Sequence, residues 1–80
     1  MTEDLRQRVH DLDATLRVGK GGIENVVDEL ERQLDDADLV KVKFLRAAHG
    51  GPDVDDLAAN LAERAGAELV ETRGNTAVYH

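Results

Sequence analysis

The stretch Leu39-Val40-Lys41-Val42-Lys43-Phe44-Leu45 is the clearest strand in the sequence. Its residues alternate, so the two valines and the phenylalanine point to one side of the strand and both lysines point to the other. The pattern predicts a strand that buries its apolar side in a core. It leaves Lys41 and Lys43 on the opposite, open face of a sheet.

Apolar residues at helical spacing occur on both sides of this strand. The run from Ile23 to Ala37 predicts a helix of about four turns, with acidic residues on its outer side. A second helix is predicted after Asp53, which can cap it, and Gly66 supplies its stop. Residues 3–12 predict a further helix at the start of the chain, with Leu5, Val9 and Leu12 on one stripe.

Three shorter runs predict the remaining strands. They cover residues 16–18, 68–72 and 76–79, and Arg73-Gly74-Asn75 joins the last two as a hairpin turn. The element order is therefore αβαβαββ. This order predicts an α/β two-layer sandwich in which a four-stranded mixed sheet carries helices on one face and leaves the second face open.

Length and composition predict one domain over residues 1–80. The chain has 80 residues, no cysteine and a net charge of −7. Without cysteine it has neither disulfides nor a thiolate metal site. It has no apolar run of the length that crosses a bilayer, and its first residues are acidic rather than basic. We therefore expect a cytoplasmic protein without a membrane partner.

The positions of the charged residues along the chain are more informative than the net charge. Three windows hold no acidic residue: residues 14–23, 39–52 and 72–80. If the three windows meet in space, an acidic protein carries one basic surface. The surplus of acids has two open explanations, a host with a salty cytoplasm or an ordinary acidic protein. The windows hold six of the ten basic residues: Arg17, Lys20, Lys41, Lys43, Arg46 and Arg73.

Gly19-Lys20-Gly21-Gly22 lies at a predicted strand-to-helix junction. Glycine accepts a positive φ and has no Cβ to obstruct a ligand, and the N-terminus of a helix offers unpaired N–H donors. With Lys20 as a mobile cation, these features predict contact with a phosphate. The alternative interpretation is a glycine turn that joins two elements while Lys20 is merely solvated.

Four blocks of the sequence occur in the order of a known family: Leu5-Arg6, Val18-Gly19-Lys20-Gly21-Gly22-Ile23, Asp38-Leu39-Val40-Lys41-Val42-Lys43 and Gly74-Asn75-Thr76-Ala77-Val78-Tyr79. They resemble the CRM (chloroplast RNA splicing and ribosome maturation) domain family, which includes small YhbY-like proteins. The resemblance implies a fold similar to the C-terminal domain of translation initiation factor three. It also implies RNA binding without catalysis, on precursors of the large ribosomal subunit or in intron splicing.

The resemblance also implies a set of RNA-binding residues. The family's Gly-x-x-Gly loop maps onto Gly19, Lys20, Gly21 and Gly22, and its basic strand pair maps onto Lys41 and Lys43. From the charge distribution we add Arg17 and Arg73. Two features depart from the family pattern: Ala14 stands where a proline is usual, and the chain is unusually acidic for an RNA-binding protein.

Other chemistries have little support in the sequence. The three histidines share no metal-ligand spacing, and no hydroxyl has an evident base partner. We therefore expect no enzyme activity, no metal and no cofactor. Phe44 and Tyr79 are too few aromatic residues for a stacking platform. We therefore expect contacts to the RNA backbone and recognition of RNA shape, which favours structured ribosomal RNA as the partner.

The sequence thus predicts a monomeric RNA-binding protein that acts on ribosomal RNA, with no DNA partner. The alternative is a protein-interaction module whose acidic helices dock on a basic ribosomal protein. Charge reversal on the basic or on the acidic residues separates the two hypotheses.

Overall fold

A four-stranded mixed sheet organises the chain. The computed structural model describes residues 9, 11–19, 22–45 and 54–80. The strands are β1 (Ala14–Val18), β2 (Val40–Phe44), β3 (Leu69–Arg73) and β4 (Thr76–Tyr79). Their order across the sheet is β1-β2-β4-β3, with β1 parallel to β2 and β4 antiparallel to both β2 and β3. The predicted α/β fold with a mixed sheet is confirmed.

Helices connect the strands within the described ranges. A short 3-10 helix (Ile23–Asn25) follows β1, and α1 (Val27–Asp36) follows the 3-10 helix. The next helix, α2 (Val54–Ala65), ends at Gly66, whose φ is +66°. The Gly66 amide donates to the Glu63 carbonyl and the Ala67 amide to the Ala62 carbonyl. This pair of bonds is a Schellman motif, so the predicted stop at Gly66 is confirmed.

The helix predicted over residues 23–37 is wrong at both ends. The Val26 amide donates to the Ile23 carbonyl, three residues back, so the first turn is a 3-10 turn and the α-helix begins at Val27. Ala37 has extended backbone angles and is exposed, because the chain turns there to enter β2. The predicted strands differ by less: β1 starts earlier, at Ala14, and β3 is displaced by one residue.

The core lies between the sheet and the two α-helices. The predicted alternation in β2 is confirmed, because Val40, Val42 and Phe44 are at most 2% exposed. Tyr79 of β4 is also fully buried on this side, and its hydroxyl donates a 2.8 Å hydrogen bond to the Ala58 carbonyl on α2. Burial raises the pKa of that hydroxyl above its usual value.

The opposite face of the sheet is open only in part. Val9 is 2% exposed and packs with Leu39 and Val78, against which Leu12 and Val70 are partly buried. These residues cover one end of the face that was expected to be open. Most of the predicted helix over residues 3–12 lies outside the described residues, although Val9 and Asp11 are helical.

None of the helices in the described ranges has the length and apolar character needed to cross a membrane.

Candidate nucleic-acid interface

Three predicted basic residues lie in one row across the sheet. Arg17 of β1 is opposite Lys43 of β2, Lys43 is opposite Thr76 of β4, and Thr76 is opposite Arg73 of β3. With about 4.8 Å between neighbouring strands, the row is about 14 Å long. It lies on the face opposite α1 and α2. We call Arg17, Lys43, Thr76 and Arg73 the cationic row.

Irregularities in the two edge strands bring the arginines onto this face. The pairing of β3 with β4 shifts between Leu69 and Glu71, and that of β1 with β2 shifts between Ala14 and Leu16. One extra residue inverts the alternation beyond it. Leu69 therefore packs in the core, whereas Arg73, four residues later, is on the opposite face. Strict alternation would have placed both residues on the same side.

The turn between β3 and β4 holds the end of the row. Gly74 has a φ of +58°, and Thr76 Oγ1 donates a 2.8 Å hydrogen bond to the Arg73 carbonyl. The Asn75 carbonyl accepts a hydrogen bond from the Phe44 amide, which ties the turn to β2. Arg73 is thus fixed by backbone contacts while its side chain is exposed.

The cations of the row differ from those on the helices. Arg17, Lys43 and Arg73 are all exposed. Ion pairs between described residues are Arg32–Glu29 at 2.6 Å, Arg64–Glu24 at 3.5 Å and His80–Glu68 at 3.9 Å. None of these pairs includes a residue of the row. Because its cations are exposed, an external anion can reach them, whereas Arg32 and Arg64 on the helices already face carboxylates.

Lys41 has a different environment from Lys43. It is half-buried, opposite Val78, and it lines a cavity of about 20 Å³ together with Val9, Glu71 and Arg73. The predicted basic pair is thus one exposed lysine and one lysine beside the apolar cluster. Glu71 was not predicted on this face, because its orientation depends on the irregularity in β3.

The glycine loop follows β1 at the end of the sheet that carries the row. Lys20 and Gly21 lie outside the described residues, as does Arg46. The Gly22 amide donates to the Gly19 carbonyl at 3.0 Å, and Gly22 has φ +79° and ψ −176°. This conformation is essentially restricted to glycine. Because its amide bonds within the loop, Gly22 has a demonstrable role in the turn.

The helix after the loop does not offer the predicted anion site. The segment that follows Gly22 is a 3-10 helix of only three residues. The α-helix starts at Val27, and Asp28 and Glu29 lie in its first turn. The contribution expected from a helix N-terminus directly at the loop was wrong, because the α-helix begins farther along the chain and carries acids there.

Both aromatic side chains are inaccessible. Phe44 and Tyr79 are 0% exposed, so neither can stack on a base at the surface. Among the described residues there is also no group of three or more side chains that could hold a metal ion.

Negative charge is concentrated on the helices. The side chains of Asp28, Glu31, Asp35 and Asp36 on α1 are all exposed. Beside α1 runs a groove of about 470 Å³, whose lining includes Glu31, Asp35 and His80. Among the described residues, the exposed acids of α1 and the exposed cations of the row thus lie on opposite sides of the sheet.

Comparison with known proteins gives a family match over the chain. The family model of the CRS1 / YhbY (CRM) domain matches residues 1–80. The chain belongs to the CRM domain family. The recognition based on the four sequence blocks is thereby confirmed, and the four-stranded sheet described above is the CRM fold of this chain.

Similar proteins include members from an archaeon and from bacteria. The chain is 39% identical over 75 residues to "Probable RNA-binding protein MJ0652" of Methanocaldococcus jannaschii, covering 94% of this chain and 56% of that protein. It is 34% identical over 77 residues to "Probable RNA-binding protein YqeI" of Bacillus subtilis, covering 95% and 78%. The solution structure of Staphylococcus aureus SAV1595 matches with a TM-score of 0.76 at 33% identity, covering 96% of this CRM chain and 79% of that one.

Proposed function

We propose that this CRM domain binds RNA through the cationic row and the glycine loop. The observation that carries the proposal is the register of Arg17, Lys43 and Arg73, three exposed cations in one row outside the ion pairs of the described residues. Two related proteins carry names that describe RNA binding, which supports RNA as the anion. Phosphates of the backbone are the groups these cations bind.

Each part of the site has a proposed role. The row holds successive phosphates along one strand of the RNA backbone. Lys20 pairs with an adjacent phosphate, and Gly19, Gly21 and Gly22 let the RNA backbone approach the loop closely, as in the Gly-x-x-Gly loop of KH domains. Lys41, beside Glu71, contributes at the margin of the site rather than at its centre.

The RNA is a structured one, and we propose ribosomal RNA during assembly of the large subunit. With Phe44 and Tyr79 buried, the described surface has no phenylalanine or tyrosine platform for reading a single-stranded sequence. Recognition therefore depends on backbone shape and phosphate spacing, which a folded RNA fixes. Crosslinking in cells followed by sequencing of the bound RNA tests this step, and we expect enrichment of large-subunit ribosomal RNA. A transcript set dominated by messenger RNA would contradict it.

We further propose that residues 1–80 act as one monomeric, cytoplasmic RNA-binding unit without catalytic activity or cofactor. The chain spans 56% of the length of the archaeal relative, so it corresponds to part of that protein. Light scattering of the purified chain at several concentrations checks the oligomeric state.

A second function, docking of the acidic helices on a basic protein, is favoured by the groove beside α1 with Glu31 and Asp35 in its lining. Charge reversal separates the two functions. Lys20, Lys41 and Lys43 changed together to glutamate should abolish binding of ribosomal RNA fragments. Asp28, Glu31 and Asp35 changed together to lysine should leave RNA binding intact. If only the second variant lost its cellular partner, protein docking would be the function.

A further inference from the structure

Leu45 is the exposed large hydrophobic residue among those the structure describes, with 37% of its surface accessible. Its amide donates a 2.9 Å hydrogen bond to the Val18 carbonyl, which continues the β1–β2 ladder one step beyond the end of β2. Leu45 therefore lies on the same side of the sheet as Lys43, two residues and about 7 Å farther along the strand.

The side chain of Leu45 lies against the first glycine of the loop. A Cβ placed on Gly19 would be 3.9 Å from Leu45 Cδ1. Gly19 has no side chain of its own, and 37% of the Leu45 surface is accessible to solvent. The result is a small apolar surface between the cationic row and the glycine loop, at the place where both meet.

A nucleotide bound at the row brings more than a phosphate to this surface. When a phosphate contacts Arg17 and Lys43, the attached ribose and base extend to the neighbouring surface. An unpaired base has two apolar faces, and burial of one of them against a nonpolar side chain is favourable. With Phe44 and Tyr79 fully buried, an aliphatic residue is what the described surface offers for this contact.

We propose that Leu45, packed on Gly19, is the contact for one unpaired base of the RNA held at the cationic row. This inference rests on the proposed function of the row. The contact is nonpolar and has no hydrogen-bonding pattern, so it selects an unpaired nucleotide in a folded RNA without selecting its identity.

Three RNA hairpins test the inference by fluorescence anisotropy with the full chain. The first has a fully paired stem, the second has one unpaired adenosine in the stem, and the third has the same unpaired nucleotide without its base. Leu45→Ala should weaken binding of the second hairpin about threefold to tenfold, the effect of losing part of a buried leucine contact. Binding of the first and third hairpins should stay unchanged. Leu45→Met should restore wild-type affinity, since it keeps an apolar side chain of similar size.

Two controls distinguish failure of this inference from failure of the proposed function. Lys43→Gln should weaken binding of all three hairpins, and unchanged binding of all three would overturn both proposals. Leu34→Ala shortens a half-buried leucine on α1, on the other side of the sheet, and should not alter the preference for the unpaired base. If Lys43→Gln weakens binding while Leu45→Ala changes nothing, or weakens all three hairpins equally, the role of Leu45 is overturned and that of the row stands.

Discussion

Adjacent residues of β2 have opposite environments on the two faces of the sheet. Phe44 is fully buried against the helices, whereas Lys43, its neighbour in the chain, is exposed on the other face and belongs to the cationic row. One face therefore packs in the main core, and part of the other is exposed to solvent. We expect substitutions on the two faces to affect folding and RNA binding separately.

The largest effect is expected from Phe44→Ala. Removal of a fully buried aromatic ring should lower the free energy of unfolding by about 3–5 kcal/mol. Lys43→Ala is the control on the same strand and should change it by less than about 0.5 kcal/mol. Urea denaturation followed by circular dichroism measures both. Similar losses in the two variants would mean that the faces do not divide folding from binding.

Two glycines of the loop are expected to differ in how much they contribute to stability. Gly22→Ala should cost about 1–3 kcal/mol of stability, because its backbone conformation is strained for any residue with a Cβ. Gly19→Ala should leave stability unchanged or slightly raised, since its Cβ would make only an ordinary contact with Leu45. Thermal melting separates them.

Binding by the same two loop variants gives a second readout. If Gly19 is a point of close approach to RNA, Gly19→Ala should weaken binding although the protein melts normally. Wild-type affinity of Gly19→Ala would limit the loop to a structural role at that position.

Tyr79→Phe tests the buried, helix-facing side of the sheet through the pH dependence of stability. Loss of the hydrogen bond to the Ala58 carbonyl should cost about 1 kcal/mol near neutral pH. Burial raises the pKa of the Tyr79 hydroxyl. From about pH 10 upward, the hydroxyl therefore stays protonated in the folded state but loses its proton in the unfolded state. Stability of the wild type should therefore fall as the pH rises above that value. Denaturation between pH 8 and 11 should show a shallower fall for Tyr79→Phe; parallel curves would contradict the prediction.

The smallest effect is expected from Glu71→Gln. Its carboxylate lines the same small cavity as Lys41 and Arg73, so we expect it to weaken the attraction for phosphate at that end of the row. Removing the charge should raise RNA affinity about twofold to fourfold at low salt, with the gain lost as salt screens it. Glu68→Gln removes an exposed acid at the other end of β3 from Arg73, so it is the matched control and should change affinity less.

How far the sequence predicted this molecule depends on local regularity. The alternation in β2, the apolar stripe of α2 and the stop at Gly66 were predicted correctly, since each follows from neighbouring residues alone. The 3-10 turn at Ile23 was not predicted; it directly follows Gly22, whose φ is +79°. Tertiary contacts, rather than neighbouring residues, decide where such a turn interrupts the helical spacing.

The candidate site shows the same limit. Arg17 and Arg73 were predicted from the charge distribution and Lys43 from strand alternation and the family resemblance, and the structure aligns all three in one row. The position of Glu71 on this face was not predicted, nor was the cover of one end by Val9 and Leu12. Those placements follow from irregular pairing in β3 and from packing between distant segments, which no local pattern encodes.

The most direct test of RNA binding at the cationic row compares an arginine of the row with an arginine on the helices. Arg73→Glu and Arg64→Glu make the same change in net charge, but Arg73 belongs to the cationic row and Arg64 lies on α2 beside Glu24. RNA affinity should be measured across a salt series. We predict about tenfold weaker binding and a slope of log affinity against log salt shallower by about one for Arg73→Glu, and affinity within about twofold of wild type for Arg64→Glu. Equal losses in the two variants would contradict binding at the row.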